Sequence, residues 1–71
     1  MKLQGVNGEY QVSWSDTTAQ ASRAKDWCNE QFGSGWGTVD FEGNEGKPIP
    51  LWRFTFKRLY HAQWFILYWS N

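Results

Sequence analysis

His61, Cys28 and the acids Asp40, Glu42 and Glu45 are the side chains best equipped for chemistry in this sequence. A histidine does general acid–base work when a serine, cysteine or carboxylate is held against it, and none stands at a motif spacing from His61. Its setting, the polar stretch Lys57 to Ala62, reads instead as a turn or one helical turn ahead of the last element. Cys28 is the only cysteine. It can form neither an internal disulfide nor a thiolate metal site within one copy, and on an apolar stripe it reads as a small buried hydrophobe rather than a nucleophile. The three acids could offer oxygens to a hard cation, but their spacing has no calcium-loop pattern; a solvated strand face and its loop account for them. Gly33-Ser34-Gly35-Trp36-Gly37 is glycine-rich, yet a phosphate-cradling loop runs from strand to helix and usually brings a lysine. This stretch follows a helical pattern and precedes an alternating one. No catalytic residue, metal ligand or cofactor is expected, and the chain reads as a non-enzyme.

Residues with so little chemistry sit on a scaffold rich in rings. The 71 residues hold six Trp, three Tyr and five Phe, an aromatic share of 20% that is foreign to disordered chains. A chain of this length is expected to be one domain with one core. Without a disulfide it must stabilise itself by dense apolar burial or by association, and each ring brings roughly 150–250 Å² to that end. Seven basic and seven acidic residues leave a formal charge of zero, which argues against binding to nucleic acid or anionic lipid by bulk electrostatics alone. The longest apolar run, Trp64 to Trp69, is far short of the ~18 residues of a membrane span, and the start Met1-Lys2-Leu3-Gln4-Gly5 has no signal-peptide stretch. With the unpaired cysteine, these features predict a cytoplasmic setting and no membrane contact.

The elements follow from periodicity. Tyr10, Val12 and Trp14 alternate with Gln11 and Ser13, which predicts a strand over Glu9 to Ser15 with one buried face. Ser15 or Asp16 then offers a helix cap. Ala21, Ala24, Cys28 and Phe32 follow at helical spacing with Trp27 beside them, and Gly33 stands at the expected C-terminal cap. Trp36 to Glu42 alternates again, as do Trp52, Phe54 and Phe56 with Arg53, Thr55 and Lys57. These runs, joined by the loop Gly43 to Pro50, predict an antiparallel hairpin. Its register sets Phe41 beside Trp52, Val39 beside Phe54 and Asp40 beside Arg53. Asn7-Gly8 suits a two-residue turn, so Leu3–Val6 either folds back on Glu9–Val12 or forms a loose lead-in.

In Gln63 to Trp69 the alternation disappears. It reads as a last strand, which points Phe65, Leu67 and Trp69 one way and Trp64, Ile66 and Tyr68 the other; a terminal helix is the lesser alternative that its six consecutive apolar residues leave open. The strand reading yields a two-layer βαβββ domain of the α+β class, one helix packed on a mostly antiparallel four-stranded sheet. One helix covers one face, which leaves Trp64, Ile66 and Tyr68 on the other with Tyr60 or Trp36 nearby. Either the N-terminal segment, with Leu3 and Val6, folds over that patch or a partner does.

The closing run Trp52-x-Phe54-x-Phe56, then His61-Ala62-x-x-Phe65-x-Leu67-x-Trp69, resembles the tail of small uncharacterised proteins of tailed bacteriophages, with Tyr68 where those chains more often carry a basic residue. The resemblance covers about twenty residues. It implies a phage origin, a place in the host-cell cytoplasm and no assigned activity.

The expected role is therefore that of a phage-type accessory or interaction module. It would present Trp64, Ile66, Tyr68 and Tyr60 to another copy or to a host protein, with Lys57, Arg58 and Arg53 as polar rim. The competing reading is single-stranded nucleic-acid binding. Residues 47–71 carry Lys47, Arg53, Lys57 and Arg58 and no acid, a local +4 against −3 over 33–46 and −1 over 1–32. Cations threaded with Trp and Tyr are the ingredients of a base-stacking groove, although the predicted pairing of Arg53 with Asp40 removes one of them.

Overall fold

The computed structural model describes residues 1–43, 46 and 48–70. The elements run β1 (Lys2–Val6), β2 (Glu9–Ser15), α1 (Thr18–Phe32), β3 (Gly37–Gly43), β4 (Leu51–Phe56) and α2 (Leu59–Trp69). The strands form one antiparallel sheet in the order β1-β2-β4-β3. The fold is thus α+β with four strands in a sheet, as the patterns predict, but two elements differ from the βαβββ order. The fourth strand comes from the N-terminus, and the closing segment is a helix.

Local chemistry permits both differences. Asn7 (φ 51°) and Gly8 (φ 81°) both take the positive φ that a two-residue hairpin turn demands, so Leu3–Val6 folds back along β2 with Val6 opposite Glu9. In the last segment Ala62, Phe65, Ile66 and Trp69 stand at i, i+3, i+4 and i+7, and no Gly or Pro interrupts them. That helical stripe is hidden in the sequence because the residues between it are apolar too. Ala62 and Phe65 are fully buried and Ile66 and Trp69 half-buried, as a helix requires and the strand alternation forbids.

Elsewhere the register is the expected one: Val39 faces Phe54, Asp40 faces Arg53 and Phe41 faces Trp52. β2 joins this hairpin through Val12 opposite Phe54 and Trp14 opposite Trp52. One face of the sheet therefore carries Val12, Trp14, Trp52, Phe54 and Phe56, and both helices pack there. α2 lies on β2 and β4 and runs beside α1, while α1 borders β3 and β4 along a groove lined by Ala21, Lys25, Val39 and Trp52. The opposite face is a polar surface, with Gln4, Gln11, Thr55 and Thr38 in one cross-strand row and Lys2, Ser13, Arg53 and Asp40 in the next. It needs no apolar cover, and the N-terminal segment extends the sheet instead of folding over it.

Trp36, expected near an open sheet face, lies in the core. It is 3% exposed, packs against Phe54 and Phe56 and donates its Nε1–H to Asn29 Oδ1 at 2.7 Å. The next residue, Gly37 (φ 150°), lies so close to the Thr55 carbonyl that a Cβ there would collide with it. The cap of α1 also moves: Thr17, not Ser15 or Asp16, is the N-cap and accepts from the Gln20 amide at 3.2 Å, while Asp16 Oδ1 accepts from the Thr17 amide. Ser15 is still in β2 and bonds to Pro50. Gly33 closes α1 with positive φ (81°), donating to the Asn29 carbonyl. Of the predicted connecting loop, residues 44, 45 and 47 lie outside the described residues.

Phe65 is fully buried and Trp64 is 55% exposed, so truncating these neighbours has opposite consequences. Phe65→Ala is expected to cost about 3–5 kcal/mol and lower the melting temperature by roughly 15–30 °C. Trp64→Ala is expected to cost less than about 1 kcal/mol. Thermal denaturation followed by circular dichroism measures both, and equal losses would contradict the helical register.

Candidate interaction surface

The site is one side of α2. Its backbone starts at Arg58, an extended N-cap residue (φ −125°, ψ 136°) whose carbonyl accepts from Ala62, and closes at Ser70, whose amide donates to Ile66 at 3.0 Å. With 3.6 residues per turn, the side chains that anchor the helix leave Tyr60, Trp64, Leu67 and Tyr68 on the outward side. They are 61%, 55%, 71% and 57% exposed. Four large apolar side chains in one outward row are unusual on a helix whose other side is already satisfied by a core.

The row is held by its neighbours. Tyr68 stacks on Trp27 of α1, centroids 4.8 Å apart and planes at 22°, which ties the end of the row to a second helix. Tyr60 meets the His61 ring edge-on at 4.4 Å. Trp64 borders a shallow recess of about 420 Å³ shared with Gln31, Phe32, Tyr60 and His61. Ahead of the helix, Lys57 and Arg58 are exposed, and α2 has no acid in its first turn and no cation in its last.

Three of the four predicted contact residues, Tyr60, Trp64 and Tyr68, come together on this surface. Ile66 does not: it is half-buried on the inward side, because residues two apart point to nearly opposite sides of a helix and to the same side only of a strand. Leu67, the most exposed of the row, escaped the sequence reading for the same reason; its spacing of seven from Tyr60 and three from Trp64 is the signal that marks it. Of the predicted cations, Lys57 and Arg58 sit at the start of the site. Arg53 lies on the polar face of the sheet, in register with Asp40 and with Nε 3.4 Å from Glu42 Oε1. Lys47 and Glu45 lie outside the described residues.

Cys28 and His61 are placed for packing. Cys28 is fully buried between helix and sheet, and burial pushes its thiol up to about 12, so thiolate is scarce at neutral pH. The His61 ring stacks on Phe32 at 4.0 Å and 18°, with Nδ1 buried and unpartnered among the described residues. Burial, and secondarily the Arg58 charge, lower its pKa, so the neutral imidazole is the form this site favours. Among the described residues no three His, Cys, Asp or Glu side chains gather as a metal site, and no helix is long and apolar enough to cross a membrane.

No family model, curated protein or solved structure matches the chain.

Above its ordinary value of 6.5, His61 is neutral in both folded and unfolded chains and contributes no pH dependence. As pH falls through 6.5 the unfolded chain takes up a proton that the folded site resists, so stability falls until the lowered folded pKa is passed. The melting temperature is therefore expected to drop more steeply on acidification in the wild type than in His61→Gln, as paired pH series would show. Cys28 is expected to resist a thiol reagent such as dithionitrobenzoate in the native protein and to react at once in denaturant; rapid native labelling would contradict its burial.

Proposed function

We propose that this chain is a small interaction module that works by pairing with a second copy of itself through the outward row of α2. The observation that carries the reading is the exposure of Tyr60, Trp64, Leu67 and Tyr68, each more than half open on one eleven-residue helix. At roughly 150–250 Å² per large side chain, the row offers on the order of 500 Å² of apolar surface, most of the ~800 Å² that one partner contributes to a standard interface. A phage-type accessory role in a host cytoplasm belongs to the same proposal, carried by the resemblance of the aromatic tail.

A second copy is favoured as occupant by the charges at the ends of the helix. α2 has cations ahead of its N-terminus, where its own dipole is positive, and none in its last turn. Two such helices packed antiparallel bring Lys57 and Arg58 of each copy toward the C-terminal carbonyls of the other, relieving both ends at once. The same two-fold arrangement sets Trp64 against its counterpart and Tyr60 across from Leu67 and Tyr68, so one patch is buried twice. Arg53, held by Glu42 on the far side of the sheet, contributes nothing to a cationic groove around these rings.

Analytical ultracentrifugation over a concentration series, at low and high salt and with and without a labelled single-stranded oligonucleotide, tests this reading. Self-association that weakens only modestly with salt, by the share the Lys57 and Arg58 contacts supply, and that weakens at least about tenfold in Tyr60→Ser/Trp64→Ser without loss of melting temperature, is the expected result. Association unchanged in that variant overturns it. So does oligonucleotide binding that collapses with salt, which would assign the surface to nucleic acid instead.

A further inference from the structure

We propose that the free edge of β1 is a second, independent self-association site, at which two copies join antiparallel, β1 to β1, into one continuous eight-stranded sheet. Hydrogen-bond parity decides which backbone groups of β1 face outward. In a hairpin with a two-residue turn the residues flanking the turn, here Val6 and Glu9, form a hydrogen-bonded pair, and such pairs alternate along the ladder. Val6, Gln4 and Lys2 therefore spend their backbone groups on β2, and Leu3 and Gly5 direct theirs outward. Two copies of this edge fit with Gln4 on the two-fold axis. Leu3 of each then exchanges both backbone hydrogen bonds with Gly5 of the other, and all five residues of each strand are paired.

The side chains suit that register. Leu3 is 37% exposed on the helix-bearing side of the sheet, and it comes to rest opposite Gly5, around whose absent Cβ nothing lies within 4 Å. The protruding residue of one copy thus meets the empty position of the other, twice. On the polar side Lys2 falls beside the second copy's Val6 and only two strand spacings, about 10 Å, from its Glu9, within reach of two long side chains of opposite charge. The edge is lightly guarded: β1 has no proline, no bulge and no inward-pointing charge. Of the devices that keep strands from adding to one another it carries Lys2, at its first position, where the second copy's Glu9 can answer it. The opposite edge is guarded. β3 has a register shift between Phe41 and Gly43, and it carries Asp40 and Glu42, which repel a second acidic strand.

This site does not rest on the α2 reading, and a crossed set of variants separates the two. Gly5→Pro removes an outward donor while sparing every bond to β2, a position where an edge strand tolerates proline; Leu3→Lys places a charge in the joint and retains the whole backbone. Melting temperatures confirm that each variant folds. In sedimentation at high protein concentration the wild type is expected to exceed a dimer. Tyr60→Ser/Trp64→Ser is expected to stop at a dimer held by β1, Gly5→Pro or Leu3→Lys at a dimer held by α2, and the combined variants to be monomeric. A monomeric Tyr60→Ser/Trp64→Ser overturns the edge proposal alone, and a monomeric Leu3→Lys overturns the α2 reading alone. Register is read by Gln4→Cys: opposed non-hydrogen-bonded residues lie ~4.5 Å apart, within disulfide range. Mild diamide is expected to couple two copies, the thiols giving their two electrons and protons to the diamide, whereas Gln11→Cys, on the inner strand, stays uncoupled. Equal coupling of both overturns the edge register.

Discussion

Phe65 is the point through which the two layers are joined. Its ring lies 4.7 Å from Phe54 and 5.3 Å from Phe56 on β4, meets Trp14 of β2 edge-on at 5.9 Å, and reaches Trp27 of α1 at 6.2 Å. It therefore touches both central strands and the other helix from a single position on α2. Burial of one such side chain is worth about 2–3 kcal/mol, a large share of the 5–15 kcal/mol that a small domain commands. Small residues make its seat possible. Ala62 on α2 and Ala24 and Cys28 on α1 let both helices lie low on the sheet, leaving the rings to fill the space between them.

Because both helices share one face, the sheet sorts most of its side chains, with Val6 and Leu51 the apolar residues on the polar side. Apolar rows point inward, and the polar rows of Gln, Thr, Ser, Lys and Arg point to solvent. The surplus of aromatic surface that a short chain cannot bury is consequently displaced to the top of α2, while a surplus of unpaired backbone remains along β1. These two excesses are of different kinds, one apolar and one hydrogen-bonding. Cys28 is a core side chain, and His61 is a stacked ring whose buried Nδ1 has no partner among the described residues.

Much of this was legible in the residues. Tyr10, Val12 and Trp14 marked β2 to the residue, and the apolar stripe Ala21, Ala24, Cys28 marked α1, because in each a polar partner face makes the period visible. The pairing of Asp40 with Arg53 was legible because a one-residue slip would turn every ring of β4 to the wrong side. The close of the chain was ambiguous for the converse reason. With Trp64 through Trp69 apolar throughout, periods of 2 and 3.6 fit alike, and the choice between them decides whether Ile66 or Leu67 faces outward.

The amino-acid order alone thus determined the α+β class, the strand alternation, the loneliness of Cys28 and the excess of aromatic surface, all properties of local pattern and composition. Tertiary structure decided the rest. Room on the sheet face beside α1 drew the last segment into a helix, so that Phe65 could reach both central strands. With that place on the sheet untaken by the tail, the N-terminal hairpin supplied the fourth strand and left its own outer edge bare. Packing is a contest for shared space between segments distant in the chain, and no window of sequence contains both contestants.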